Sequence, residues 1–374
     1  MKILINASNL KKGGGLQVAD SICSLLSSYP QHRFIVVLSS NLLSTFQKMR
    51  NISNINAIQY DMPKSITTVL FKRNRFLDTL VKIEKVDVVI TIFGPSLWVP
   101  KCRHISGFAR AQCVLTDSPY FKNMPFLKKF REILYHEIMI REFCRCSDIY
   151  YTENGLISEK LRDLFPSKTI CTISNYYNQV FDKEELWKHN IKLEPYEGTT
   201  LLTISANYPH KNLAIIKPTI LYLRERYPQF LFRFVLTIEE SDFYPITDDE
   251  KKCIVFLGKV TIEECPNLYA QSDIAFLPTL LECFSANYPE AMRMGKPIIT
   301  SDLDFAHSLC GDAAMYYDAL SPQALGDAIY KLMSDKGLYT SLIEKGKKQL
   351  LEFDNYEVRV NKLIALAENQ KCNN

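Results

Sequence analysis

Short apolar runs separated by helix-period segments recur along the whole chain, and few architectures can house them. Six fall in the first half, KILINAS, HRFIVVLSS, VDVVITIFG, RHISGFA, DIYYTEN and TICTIS, and six in the second, LLTISA, FRFVLTI, CIVFLG, DIAFLP, KPIIT and AAMYY. Runs that are apolar throughout, instead of alternating with polar residues, read as strands buried on both faces, which is the environment of a parallel sheet covered by helices. Strands alternating with helices give an α/β class with doubly wound sheets. At 374 residues the chain is long for one core, so two such domains are expected. The boundary is placed at 178, giving domains 1–178 and 179–355, because residues 178–198 form a polar stretch rich in Lys, Glu and Asn that reads as a linker.

Within the second half, the nonapeptide ECFSANYPE holds two carboxylates, Glu282 and Glu290, eight positions apart. Upstream, SDIAFLPTLL reads as a buried strand and its exit; downstream, PEAMRMG is a short helical stretch closed by Gly295 before the strand KPIITS. The turn therefore sits at the carboxyl end of a strand, where open α/β sheets bind ligands. The amides of Phe284, Ser285 and Ala286 lie between the carboxylates. A helix N-terminus carries about half a positive charge, so an anion can rest there while the carboxylates accept bonds from hydroxyl groups. Two plainer readings compete. Glu290 could be a capping-box glutamate answering Asn287, and Glu282 a solvated loop acid.

Lys211 follows the strand TLLTISA and the turn Asn207-Tyr208-Pro209, ahead of the helical pattern Leu213, Ile216, Ile220, Leu223. That spacing predicts a lysine at a helix N-terminus, which is unfavourable for the helix dipole unless an anion is bound; an ordinary surface lysine is the alternative. Pro218 falls inside the pattern, where a kink or a two-part helix is expected. At the N-terminus, strand MKILINAS, loop NLKKGGG and helix LQVADSICSLL form a strand, glycine-loop, helix unit. Gly13, Gly14 and Gly15 let backbone approach a ligand, or simply make a mobile turn, since the loop is neither G-x-G-x-x-G nor a P-loop.

Eleven cysteines form no metal or disulfide framework, and a reduced, cytoplasmic setting is expected. There is no signal-peptide pattern and no run of transmembrane length. A net charge of +4 is too small to indicate nucleic acid. The charge is uneven, however. Residues 120–146, YFKNMPFLKKFREILYHEIMIREFCRC, mix Lys122, Lys128, Lys129, Arg131, Arg141 and Arg145 with Phe121, Phe126, Phe130, Leu134 and Ile138. Such a helix either rests on an anionic membrane surface or buries its apolar stripe in its own domain, the reading favoured by the pattern. A thinner cluster spans residues 69–76.

The pieces TISANYPHKNL, VFLGKV, LYAQSDIAFLPTLLECFS and PEAMRMGKPIITSDLDF, in this order from about 200 to 353, resemble the retaining family-four glycosyltransferases, whose E-x7-E signature matches in spacing and surroundings. The resemblance implies a GT-B fold, two Rossmann-like domains facing a central cleft, with the helix at 356–374 packing back on the first. It implies transfer of a sugar from a nucleoside diphosphate sugar to a glycan or lipid-linked glycan, as in bacterial polysaccharide and lipopolysaccharide synthesis, with retention at the anomeric carbon. A front-face substitution, in which the donor phosphate takes the acceptor proton, is what the family implies.

Carried over by position, Glu282 lies by the transferred sugar, Glu290 binds the ribose hydroxyls and Lys211 holds the diphosphate. Gly14 and Gly15 approach the donor, and the base meets backbone near Gly258, Lys259 and Val260. No cofactor and no metal are implied, and the Asp302-Leu303-Asp304 D-x-D follows the strand after the signature, where no metal is needed. Contact with the inner face of the cytoplasmic membrane is implied for enzymes using lipid-linked glycans. Departures from the pattern are Cys283 in place of a glycine and no arginine ahead of Lys211, with Ser205, Asn207 and His210 the polar groups there. His104 and Arg110 are N-domain candidates for sugar or phosphate contacts. A nucleotide-sugar 2-epimerase of the same fold, or a catalytically silent binding subunit, are the rival functions.

Overall fold

The computed structural model describes residues 1–63, 71–122 and 124–368. Its packing divides into two compact units. The first comprises Met1–Val114, Pro125–Asn175 and the chain from Asp354; the second comprises Leu115–Met124 and Tyr176–Phe353.

The first unit is built on a seven-stranded sheet of β1 (Lys2–Ala7), β2 (Arg33–Leu38), β3 (Ile55–Gln59), β4 (Val88–Thr91), β5 (Arg103–Phe108), β6 (Ile149–Thr152) and β7 (Thr169–Thr172), ordered β3-β2-β1-β4-β5-β6-β7. All neighbours are parallel. Its helices are α1 (Gly14–Cys23), α2 (Leu43–Met49), α3 (Arg75–Glu84), α4 (Phe126–Cys146) and α5 (Gly155–Leu164). The central strands are paired on both edges and covered on both faces, which is why Ile3, Leu4, Val36 and Val89 are fully buried and their runs are apolar throughout. β3 was not among the expected strands. It lies at the sheet edge, and of its five residues only Ile55 is buried, so its polar Asn56 and Gln59 hide the strand pattern.

The second unit carries a six-stranded parallel sheet of β8 (Thr199–Thr203), β9 (Phe232–Leu236), β10 (Ile254–Phe256), β11 (Ile274–Leu277), β12 (Ile298–Ser301) and β13 (Ala314–Tyr317), ordered β10-β9-β8-β11-β12-β13. Around it lie α6 (Ile216–Arg226), α7 (Asp248–Lys251), α8 (Cys265–Ala270), α9 (Asn287–Arg293), α10 (Asp304–Cys310), α11 (Pro322–Ser334) and α12 (Lys336–Gln349). Both sheets are of the Rossmann-like doubly wound type, as expected. The last helix, α13 (Tyr356–Ala367), returns to the first unit, where Val360, Leu363 and Ile364 join the core of β1 and α1. There the buried Arg359 donates to Ser21 Oγ at 2.6 Å and to Asn175. The rest of the expected helix, 369–374, lies outside the described residues.

Pro218 costs little where it stands. It falls in the first turn of α6, whose amides have no intrahelical acceptor in any case. Among the described residues, nine cysteines are free.

Candidate active site

The strand order of the second sheet reverses between β8 and β11, and the crevice beyond their carboxyl ends is where the winding changes direction. The loops leaving these two strands carry the signature residues. After β8, Pro209 starts a single 3-10 turn ending at Lys211, and Asn212 then takes the left-handed conformation, with φ 53° and its side chain donating to the Ala319 carbonyl at 3.1 Å. Lys211 is therefore displayed on an isolated turn, with a second 3-10 turn before α6. The expectation that it stands at the N-terminus of the helix carrying Leu213, Ile216, Ile220 and Leu223 is corrected: the apolar period continues through Leu213 and Ile216, but the backbone reverses hand at Asn212.

Backbone bonds lock this turn to the exit of β11. The His210 carbonyl accepts from Leu280 N at 2.7 Å and from Thr279 Oγ1 at 3.2 Å. That registration sets Lys211 opposite Glu282, and the two form a direct ion pair, with side chains only 20 % and 15 % exposed. Glu282 is thus no free loop acid. The half-buried His210 ring lies next to Lys211 in the chain, stacked against Tyr208 and edge-on to Tyr120. Burial, reinforced by Lys211 and opposed by Glu282, holds its imidazole below the usual value, favouring the neutral ring. The same strand exit is buttressed by residues 115–124, where Ser118 Oγ donates to the Leu280 carbonyl at 2.6 Å.

Glu290 faces inward. It is 3 % exposed on α9 and accepts a bond from Tyr269 of α8 at 3.2 Å. Burial pushes its carboxyl up to about 7, with the Tyr269 hydroxyl pulling it back in part. The capping-box alternative fails. Helix α9 begins at Asn287 without a side-chain cap bond, and the Asn287 amide instead donates to the Ile204 carbonyl at 2.6 Å, fastening α9 to the exit of β8. Pro289 fits in the first turn of this short helix.

Between the carboxylates, Tyr288 N bonds back to the Ser285 carbonyl and Glu290 N to that of Ala286, while the amides of Phe284, Ser285 and Ala286 find no protein acceptor among the described residues. The Phe284 ring packs edge-on to Phe353. Gly258, at φ 67°, closes the loop after β10; its own N–H is already used by the Ile238 carbonyl, and the Glu239 carboxylate lies against its α-carbon.

Gly13 caps the start of α1 with φ 79°, and a side chain at Gly13 or Gly14 would meet open space, whereas Gly15 packs against Phe93. These glycines lie in the first unit with His104 and Arg110. His104 is a core residue: its ring nitrogens meet Thr91 Oγ1 at 2.8 Å and the Cys146 carbonyl at 2.5 Å, and burial lowers it to about 4. Arg110 reaches Tyr135 of α4. Asp302 pairs with His307 at 2.6 Å on the surface, and Asp304 sits in the first turn of α10. Among the described residues no cluster of three or more His, Cys, Asp or Glu is arranged to hold a metal ion.

The sequence reading gives no site role to Tyr269, Ser118 or Tyr120: Tyr269 stands in the piece LYAQSDIAFLPTLLECFS, but only the fold brings its hydroxyl to Glu290, and Ser118 and Tyr120 come from more than 80 positions away.

Residues 199–335 match the family profile described as Glycosyl transferases group 1. Over 286 residues, 72 % of this chain and 71 % of the relative, the sequence is 23 % identical to the O-antigen chain mannosyltransferase RfbU of Salmonella typhimurium. The fold is similar to that of a glycosyltransferase from Rickettsia africae, with a TM-score of 0.69 at 14 % identity over 98 % of this chain and 97 % of that one. It is also similar to Anabaena Alr3699/HepE in complex with UDP and glucose, with a TM-score of 0.70 at 14 % identity over 99 % and 100 % of the two chains. With the signature residues gathered at the switch point of a Rossmann-like sheet, the chain is a glycosyltransferase of the GT-B type, related through residues 199–335 to the glycosyl transferases group 1.

Proposed function

We propose that the chain transfers a hexose from a nucleoside diphosphate sugar to a growing glycan, free or lipid-linked, with retention of anomeric configuration and without a metal ion. The observation that carries this reading is the Lys211–Glu282 pair at the carboxyl ends of β8 and β11, with Glu290 buried at the base of the same turn. Breaking the glycosidic bond puts negative charge on the leaving diphosphate. Lys211 and the unengaged amides at 284–286 offer positive charge there, and such groups stabilise the transition state more than the ground state. Freed from Lys211 by the diphosphate, Glu282 orients the sugar and its charge supports the oxocarbenium-like carbon. An ionised Glu290 accepts bonds from ribose hydroxyls. The base lies against the backbone at 258–260.

Two similarities favour particular substrates. The relative is an O-antigen chain mannosyltransferase, and the Anabaena structure holds UDP and glucose; these similarities favour a uridine diphosphate hexose or a mannosyl donor, and an O-antigen-like acceptor. Such an acceptor is met at the inner face of the cytoplasmic membrane.

The test is product analysis with a panel of nucleoside diphosphate hexoses and a lipid-linked glycan acceptor. A new glycoside with the donor's anomeric configuration is expected. Inversion would contradict the mechanism, and an epimerised nucleotide sugar formed without acceptor would replace the function with the epimerase one.

A further inference from the structure

The second unit carries a groove that the signature residues do not use. It encloses about 720 Å³ and opens at the amino ends of the strands: Thr199 and Thr200 begin β8, Phe230 and Leu231 lead into β9, and Asp273 precedes β11. The length of β8, roughly 15 Å at about 3.3 Å per residue, separates these ends from the crevice at the carboxyl ends, so the groove is no extension of the site holding Lys211 and Glu282. Its volume is that of a small-molecule site.

Polar groups line this groove with bonding capacity to spare. Arg233, only 9 % exposed, donates from Nε to Thr200 Oγ1 at 3.0 Å and from Nη1 to the Glu194 carbonyl at 2.8 Å. Its Nη2 has no partner among the described residues, and a guanidinium donor left unpaired in a buried side chain is costly. Glu197 and Gln229 stand exposed on the rim, and their side chains make no bond among the described residues. Aromatic faces complete the lining. The Arg233 guanidinium lies over Tyr196, 4.7 Å from the ring centroid, yet Tyr196 stays 38 % exposed. Phe230 stands edge-on to Tyr330 of α11 at 5.6 Å, and Tyr330 stacks on Tyr227 at 3.8 Å, so rings continue from the groove across the surface. Asp327 fixes this platform by accepting from the hydroxyls of Tyr222 and Tyr227, at 2.7 and 2.8 Å.

The charge pattern selects the occupant. Glu194, Glu197 and Asp273 set three carboxylates against one guanidinium, which repels phosphates and other anions, while Arg233 on the inner wall repels ammonium groups. The same polar groups leave no continuous apolar lining for a hydrophobic helix. A neutral pyranose fits what remains, with C–H faces to lie on aromatic rings and a girdle of hydroxyls to pair with carboxylate, amide and guanidinium.

We propose that the groove is a second saccharide site, remote from the reacting centre: Tyr196 and Phe230 meet the C–H faces of neutral pyranoses, and Arg233, Glu197 and Gln229 bond their hydroxyls. The saccharide chemistry of the groove stands apart from how the donor is held. That its natural occupant is the growing glycan rests on the proposed function; a glycan held there keeps its acceptor end at a raised local concentration.

Neutral oligosaccharides of mannose, glucose and galactose are titrated into the full chain and followed by saturation-transfer NMR, with nucleoside diphosphate binding measured alongside. Binding that persists in moderate salt is expected, because the ligand is uncharged. Tyr196→Ala should weaken it roughly threefold to tenfold, the worth of one aromatic contact, and adding Glu197→Ala and Gln229→Ala should bring it below detection, with nucleoside diphosphate affinity unchanged. A Gln229→Trp variant should change its emission on adding the oligosaccharide, a readout that survives should the other variants fold poorly. In transfer assays, Tyr196→Ala should raise KM for long acceptors and leave KM for short ones and kcat as they are. Wild-type chain that binds none of the oligosaccharides, undiminished binding in the triple variant, unchanged emission in Gln229→Trp, or a KM rise shared by short acceptors would each overturn the proposal. Nucleoside diphosphate binding without oligosaccharide binding sinks only this inference; oligosaccharide binding at the groove without nucleoside diphosphate binding upholds it and sinks the proposed function.

Discussion

Glu282 and Glu290 belong to one nonapeptide yet meet opposite surroundings, and their substitutions should separate accordingly. Glu290 titrates near 7 in the folded chain against an ordinary value of 4.5. The folded state thus holds a proton that the unfolded chain releases across that window, so stability falls as pH rises from about 4.5 to about 7 and the full penalty persists above it. Glu290→Gln removes the slope. Urea unfolding at a series of pH values should show wild type losing about 1–3 kcal/mol relative to the variant between about pH 5 and pH 8, from the 1.36 kcal/mol carried by each unit; a constant difference would contradict the burial argument. In the proposed donor site, the ionised carboxylate is the form that would accept bonds from ribose hydroxyls. Nucleoside diphosphate affinity should therefore rise with pH through about 7 in wild type, and be weaker and pH-independent in Glu290→Gln. Glu282→Gln has another signature. On the proposed roles it does not weaken nucleotide binding, and tightens it to the extent that Lys211 is released from its ion pair, while it lowers turnover because its proposed partner in catalysis is the sugar; calorimetry and initial rates on both variants check this, and losses in both measurements would contradict the assignment.

Among the elements, legibility in the sequence followed burial. Strands enclosed on both faces, such as β1 and β11, announced themselves as apolar runs, whereas edge strand β3, with a single buried residue, did not. The signature turn was legible because its spacing is local. Its supports were not: Tyr269 reaches Glu290 from α8, and Ser118 reaches Leu280 across 162 positions. Helix periodicity misled twice, once by continuing through the left-handed Asn212 ahead of α6, and once in α4, where Phe126, Phe130 and Leu134 of the stripe expected in the domain core are exposed. The Asn212 break is itself testable. Asn212→Ala gives up the bond to the Ala319 carbonyl and puts a poorly suited side chain at φ 53°, which should cost about 1–2 kcal/mol of stability. Asn212→Gly keeps the backbone and loses only the bond, so it should cost less. Thermal unfolding of the pair decides, and an alanine variant as stable as the glycine one would show that backbone hand does not matter there.

At the scale of the whole molecule, two Rossmann-like sheets supply the framework, and the proposed chemistry rests on charge at one switch point. The positive groups of the site are a lysine and backbone amides, while Asp302 is engaged with His307 at the surface. Excess EDTA should accordingly leave turnover nearly intact; complete loss rescued by Mg²⁺ or Mn²⁺ would contradict the metal-independent reading. The central claim, that the crevice at β8 and β11 holds the donor diphosphate through Lys211, is tested most directly by calorimetric titration of nucleoside diphosphates into wild-type and Lys211→Ala protein. Loss of a charge-assisted hydrogen bond predicts affinity weaker by about 1.5–3 kcal/mol, or roughly ten- to a hundredfold. Unchanged affinity in Lys211→Ala would place the diphosphate elsewhere.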